Sequence, residues 1–105
     1  MLDGNKFESR NDKLFINGKE VIAGWESFTG CYWFATEKVE ERRSGLGTGG
    51  SIINGREVDD TIYFGLVQGQ VEEWGCFSKA ELESLGPYKV WRIPMKNLTW
   101  SGRRN

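Results

Sequence analysis

The sequence contains no histidine, the side chain that proteins use most often as a general base and as a transition-metal ligand. The same absence removes the usual activator of a nucleophilic serine or cysteine. No run approaches the ~18 apolar residues that a membrane helix needs. We therefore predict a non-enzymatic protein with no cofactor, no metal site and no membrane association.

The sequence also lacks an excess of charge of one sign, because its 14 Lys and Arg residues nearly balance its 15 Asp and Glu residues and the net charge is −1. There is no global field to attract nucleic acid or an anionic membrane. Residues 1–5 lack the basic and apolar runs of a signal peptide, so we expect a cytoplasmic location. In that compartment Cys31 and Cys76, each within an aromatic strand-like run, are expected to be reduced core thiols and not a disulfide.

What the sequence does have is aromatic residues and glycine: five Trp, six Phe, three Tyr and 14 Gly. This composition favours a single domain over residues 1–105 with an aromatic core, short strands and many turns. The predicted class is α+β, with a mainly antiparallel twisted sheet of five to six strands and one short helix at about 79–85. Residues 1–12 and 101–105 are expected to be frayed, and residues 40–51 to form a flexible loop.

The clearest local pattern in the sequence predicts a β-hairpin, because residues 62–67 and 71–77 each have the period-two pattern of a strand. Both faces of the first run are apolar, so we expect it inside the sheet and covered on both sides. A three-residue loop, Gln68–Gln70, sets Trp74 opposite Phe64, whereas a two-residue loop sets a lone carboxylate there. Aromatic cross-strand pairs stabilise a sheet and an unpaired buried carboxylate does not, so we predict the longer loop.

A helix start follows this hairpin, because Ser78 and Glu81 have the spacing of a capping box. Gly86 supplies the left-handed residue that ends the helix. Two turns are too short to be stable alone, so Leu82 and Leu85 are expected to lean on the sheet.

Further strands and turns are predicted around this unit. Residues 31–39 read as a strand with Trp33 and Phe34 on opposite faces, residues 24–30 as a connection, and residues 88–93 as another strand. Asn-Gly pairs at 17–18 and 54–55 indicate tight hairpins. The near-identical hexapeptides at 16–21 and 53–58 are interpreted either as two independent turns or as a duplicated unit.

Three groups of residues suggest chemistry, and each has a structural alternative. The glycine-rich run 45–50 resembles a phosphate loop but no helix is predicted after it, so a flexible loop is favoured. Adjacent carboxylates at 40–41, 59–60 and 72–73 point to opposite faces of a strand, so they are interpreted as solvated charges. The tryptophans and arginines are interpreted either as a stacking platform for single-stranded nucleic acid or as a protein-binding hot spot, and most of the aromatic side chains are expected in the core.

Two segments, YWFATE at 32–37 and IYFGLVQGQVEEWGCFSKAELESL at 62–85, resemble a family of small proteins encoded in bacterial genomes, plasmids and phages. That family carries a WYATE segment followed by FFGLV-G-E-ELGYFSL-ELE. The chain departs from it at Trp74 and Cys76, in the glycine-rich insertion and at the N-terminus. The family has no established activity, so the resemblance implies a fold and a mobile-element context and no catalytic residues.

We therefore expect a protein-binding module, a phage- or plasmid-type modulator or inhibitor of a host system, whose partner the sequence does not name. It is expected to be a monomer or small homo-oligomer. The alternative is a single-stranded nucleic-acid-binding protein that uses exposed Trp and Arg side chains. The predicted contact residues are Trp25, Arg42, Arg43, Leu46, Trp100, Arg103 and Arg104.

Overall fold

A computed structural model of the chain describes residues 5–45 and 49–94. Along this part of the chain the elements are β1 (Phe7–Arg10), β2 (Lys13–Ile16), β3 (Lys19–Glu20), β4 (Ala23–Ser27), β5 (Tyr32–Arg42), β6 (Ser51–Ile53), β7 (Arg56–Val58), β8 (Asp60–Gln68), β9 (Glu72–Ser78), α1 (Lys79–Ser84) and β10 (Val90–Arg92). The main sheet has five strands in the order β10-β4-β5-β8-β9, with every neighbouring pair antiparallel. Strands β1-β2-β3 and β6-β7 form two smaller sheets. The predicted α+β class, with its antiparallel sheet and single short helix, is confirmed.

The main sheet has a core on each side because β5 alternates as predicted. Phe34 points to one face, where it packs with Leu66 and with Leu14, Ile16 and Val21 from the β2-β3 hairpin. We call this the hairpin face. Ala35 points to the other face, which we call the helix face, and its core is completed by Ala23, Trp25, Leu82 and Val90. The expectation of a strand buried on both sides holds for the centre of β8, where Gly65 and Leu66 are buried.

The β8-β9 hairpin has a three-residue loop, but the loop is Gly69–Val71 and not the predicted Gln68–Gln70. The predicted pairing is therefore wrong by two positions: Trp74 lies opposite Leu66, and Cys76 lies opposite Phe64. A shift of two keeps every side chain on its predicted face, because side chains alternate with a period of two. Trp74 still packs on the hairpin-face core and stacks on Phe64 with ring centroids 5.9 Å apart.

Several predicted boundaries are corrected. Residues 23–27 form strand β4, where the sequence suggested a connection. Strand β5 continues to Arg42 through two bulges, so residues 40–42 belong to a strand and not to the flexible loop predicted over residues 40–51. Residues 7–10 form β1, paired with β2, where a frayed end was expected.

Both Asn-Gly pairs are two-residue turns with positive φ at both positions, as predicted. Asn17 and Gly18 have φ of 53° and 83°, and Asn54 and Gly55 have φ of 52° and 79°. These are the values that a type I′ turn requires at its two central positions. The first hairpin contributes core side chains to the hairpin face, whereas β6 of the second packs beside α1.

Helix α1 begins and ends as expected: Ser78 Oγ accepts a hydrogen bond of 3.0 Å from Glu81 N, and Gly86 has a φ of 95°. Leu82 enters the helix-face core, but Leu85 is 55% exposed, so the expectation that Leu85 leans on the sheet is wrong. The expectation of a core thiol at Cys76 is also wrong, since that side chain is exposed on β9; both cysteines are free.

Candidate functional site: an open groove on the helix face

Helix α1 covers only part of the helix face. In the sheet, Trp25, Trp33, Val67 and Glu73 lie opposite one another on β4, β5, β8 and β9. Directly opposed residues of antiparallel strands point to the same face, so these four form one row. Trp25 is fully buried, Trp33 and Val67 are half-buried, and Glu73 is exposed. Burial of the row therefore decreases from Trp25 to Trp33, the point at which the helix face becomes open to solvent.

A groove of about 420 Å³ lies where the cover ends, and we call it the Trp33 groove. Its lining residues are Trp33, Phe77, Ser78, Glu81, Leu82, Ser84 and Leu85. Leu85, 55% exposed, is the apolar side chain of this lining that projects furthest into solvent.

A second groove of about 370 Å³ continues towards the hairpin end, where Val67, Glu73 and Gly75 contribute to its lining. Val67 is the direct cross-strand neighbour of Trp33, so the two grooves adjoin on the helix face. A Cβ built on Gly75 would meet no atom within 4 Å, which shows how open the sheet is here. Together the grooves make a shallow surface of mixed character, with apolar side chains around Trp33 and carboxylates at Glu73 and Glu81.

Trp25 is not a contact residue, and that prediction is wrong because the side chain is 0% exposed. Its ring lies 5.4 Å from Tyr63 and 5.8 Å from Phe77, centroid to centroid. Its Nε1 donates to Glu83 Oε2 of α1 over 3.3 Å, and the Arg92 guanidinium lies 4.9 Å above the ring. Trp25 thus joins the sheet to the helix.

Arg42 and Arg43 do not form a bare cationic patch. Arg42 Nε lies 3.3 Å from Glu40 Oε2, and Arg43 lies 3.5 Å from Glu41 and 3.7 Å from Asp59. Lys38 also pairs with Glu41; the hydrogen bond between them, and the attraction of the opposite charges, raise the pKa of Lys38 and lower that of Glu41. These side chains balance one another's charge in solvent. The other predicted contact residues, Leu46, Trp100, Arg103 and Arg104, lie outside the described residues.

Asp60 was expected to be a solvated charge beside Asp59, and that expectation is wrong. Asp60 is 6% exposed and accepts four hydrogen bonds. Oδ2 accepts from Ser51 Oγ (2.6 Å) and Ser78 Oγ (2.5 Å), and Oδ1 accepts from the N–H groups of Thr61 (2.7 Å) and Ala80 (2.8 Å). Burial by itself would raise the pKa of Asp60, but these hydrogen bonds outweigh it and the pKa is lowered.

With both oxygens occupied, the Asp60 carboxylate has a structural role. It fastens β6 and the start of α1 to strand β8. The other acidic pairs do not assemble into a metal site: among residues 5–45 and 49–94, no group of three or more His, Cys, Asp or Glu side chains is placed to hold an ion.

No family model matches the chain, and neither a curated protein nor a solved structure matches it significantly. The described residues also contain no helix with the length and apolar character needed to cross a bilayer.

Proposed function

We propose that this protein is a non-enzymatic binding module that recognises another protein through the Trp33 groove. The observation that carries the proposal is the uncovered part of the helix face, where half-buried Trp33 continues into exposed Leu85. An aromatic side chain set in a partly apolar groove is typical of the anchor positions of protein interfaces.

The groove also suggests the chemistry of what it binds. Apolar side chains form its floor, and the carboxylates of Glu81 and, further along, Glu73 stand at its margins. A complementary partner presents an apolar side chain flanked by basic residues. The resemblance to phage- and plasmid-encoded proteins supports a host protein as that partner, and modulation of the host system as the result.

The nucleic-acid alternative draws less support from the described residues. Its platform needs exposed tryptophans beside unpaired arginines. Trp25 is in the core, and Arg42 and Arg43 are already paired with carboxylates. We therefore place protein recognition first.

Affinity capture from a bacterial lysate, with and without nuclease, tests the proposal. We expect a protein recovered in stoichiometric amount that survives nuclease treatment. Recovery of nucleic acid, or of proteins that disappear with nuclease, contradicts it, as does the recovery of nothing above a bead control.

A further inference from the structure

We infer that strand β9 is a dimerisation edge, along which two copies of this chain pair antiparallel about Gly75 and join their main sheets into one. The inference is independent of the Trp33 groove and rests on the edge itself. Among the described strands, none pairs with the outer side of β9.

The two edges of the main sheet differ in how they are protected. Strand β10 at one edge has three residues and is followed closely by Pro94, features that discourage pairing with another strand. Strand β9 at the other edge has seven residues, pairs with β8 without a bulge, and contains neither proline nor lysine. Such an edge presents unpaired backbone N–H and C=O groups that an added strand satisfies.

The sequence of β9 favours a second copy of itself as that strand. A two-fold axis through Gly75 sets Glu72 opposite Ser78, Glu73 opposite Phe77 and Trp74 opposite Cys76, so all seven residues are paired. No carboxylate then faces another, whereas an axis through Glu73 or Glu72 opposes like charges, which is destabilising.

The two-fold axis is perpendicular to the sheet, because antiparallel strands related in this way keep the same face on the same side. Both Trp33 grooves therefore open on one side of the joined sheet. An interface made mainly of one strand pair lies at the small end of the size range, so we expect a reversible dimer of micromolar or weaker affinity.

Cysteine cross-linking tests the register. In a Cys31→Ser, Cys76→Ser background, Gly75→Cys sets two thiols directly opposite at the axis, with Cα atoms about 4.5–5.5 Å apart, within disulfide range. Glu73→Cys in the same background is the control. In the proposed dimer, residue 73 of one chain and residue 73 of the other are offset by four residues, which is about 14 Å along the strand. We expect a disulfide-linked dimer from Gly75→Cys under mild oxidation and none from Glu73→Cys. The opposite pattern, or cross-linking by neither, overturns the inference.

Sedimentation measurements test the association without a cross-link. From low micromolar to near-millimolar protein we expect the wild-type mass to rise towards twice the monomer mass. Gly75→Gln should keep this behaviour and Gly75→Glu should shift it to at least severalfold higher concentration, since only the second opposes like charges at the axis. Neither variant strains the monomer, because the space above Gly75 is empty. A monomeric mass at every concentration, or equal behaviour of the two variants, contradicts pairing through β9.

Discussion

Replacing Asp60 tests how the helix, the β6-β7 hairpin and the main sheet are held together. Asp60→Ala removes four hydrogen bonds at once and leaves two partly buried backbone N–H groups, those of Thr61 and Ala80, without this acceptor. Hydrogen bonds to charged groups contribute about 1.5–3 kcal/mol each in net terms, and a buried orphan donor costs about 1–3 kcal/mol. The two serine hydroxyls can turn towards water or another acceptor, so the full sum is not lost. We expect Asp60→Ala to lower the free energy of unfolding by about 3–4 kcal/mol.

Asp60→Asn refines the same test. An amide oxygen in place of Oδ1 still accepts from both N–H groups, and the amide nitrogen can donate to the serine oxygens. The loss is then mainly that of charge, and we expect about 1–2 kcal/mol. Asp59→Asn is the control: its side chain is 61% exposed and pairs with Arg43, so the change should cost less than about 1 kcal/mol.

Urea denaturation followed by tryptophan fluorescence measures all three variants, since buried Trp25 reports on the helix face. The expected order of destabilisation is Asp60→Ala, then Asp60→Asn, then Asp59→Asn. If Asp60→Ala and Asp59→Asn are equally mild, Asp60 does not fasten these elements and our account of the helix start is wrong.

Two further predictions concern the pH dependence and the packing of the sheet. Because the pKa of Asp60 is lowered in the folded protein, its contribution to stability is present above the ordinary Asp value and is lost as the pH falls through the lowered pKa. The stability difference between wild type and Asp60→Asn, measured by urea denaturation across acidic pH, should therefore shrink as the pH falls below about 4; a difference that grows there contradicts the assigned direction. Gly65→Ala should destabilise by at least about 2 kcal/mol, because the added Cβ would lie 1.9 Å from the Phe34 carbonyl oxygen, while Gly75→Ala on the next strand meets nothing and should be nearly neutral in thermal unfolding. Equal melting temperatures for these two variants would show that β5 and β8 are less closely packed than described.

Local patterns in the sequence predicted the centre of β5, the β8-β9 hairpin and α1, together with the faces of the strand side chains, but they did not predict β1 or β4. The alternation predicts Trp33 and Ala35 on one face and Phe34 on the other, and the two cores contain these residues as predicted. The Asn-Gly turns and the Ser78 cap carry their own geometry, so they were recognisable without tertiary information. The hairpin register was off by two because Gln68 continues the strand and Val71 occupies the turn, which hydrophobicity alone does not indicate.

The candidate site could not be predicted because it depends on where α1 docks. Trp25 and Trp33 are cross-strand neighbours of the same residue type, yet Trp25 is fully buried and Trp33 is only half-buried. Asp60 was likewise hidden, since its four donors come from three separate stretches of chain that meet only in the fold. Local sequence patterns therefore indicate neither the difference in burial between the two tryptophans nor the burial of Asp60.

The contribution of the Trp33 groove is measured most directly by affinity capture with three matched baits: wild type, Leu85→Glu and Ile52→Glu. Both leucine and isoleucine are exposed, at 55% and 66%, so either change should leave stability within about 1 kcal/mol of wild type. Only Leu85 lines the groove, and a carboxylate there opposes an apolar anchor. We predict that the wild-type and Ile52→Glu baits recover equal amounts of a nuclease-resistant partner. The Leu85→Glu bait should recover roughly tenfold less, as expected for a central interface contact. Equal recovery on all three baits would place the binding surface elsewhere on the molecule.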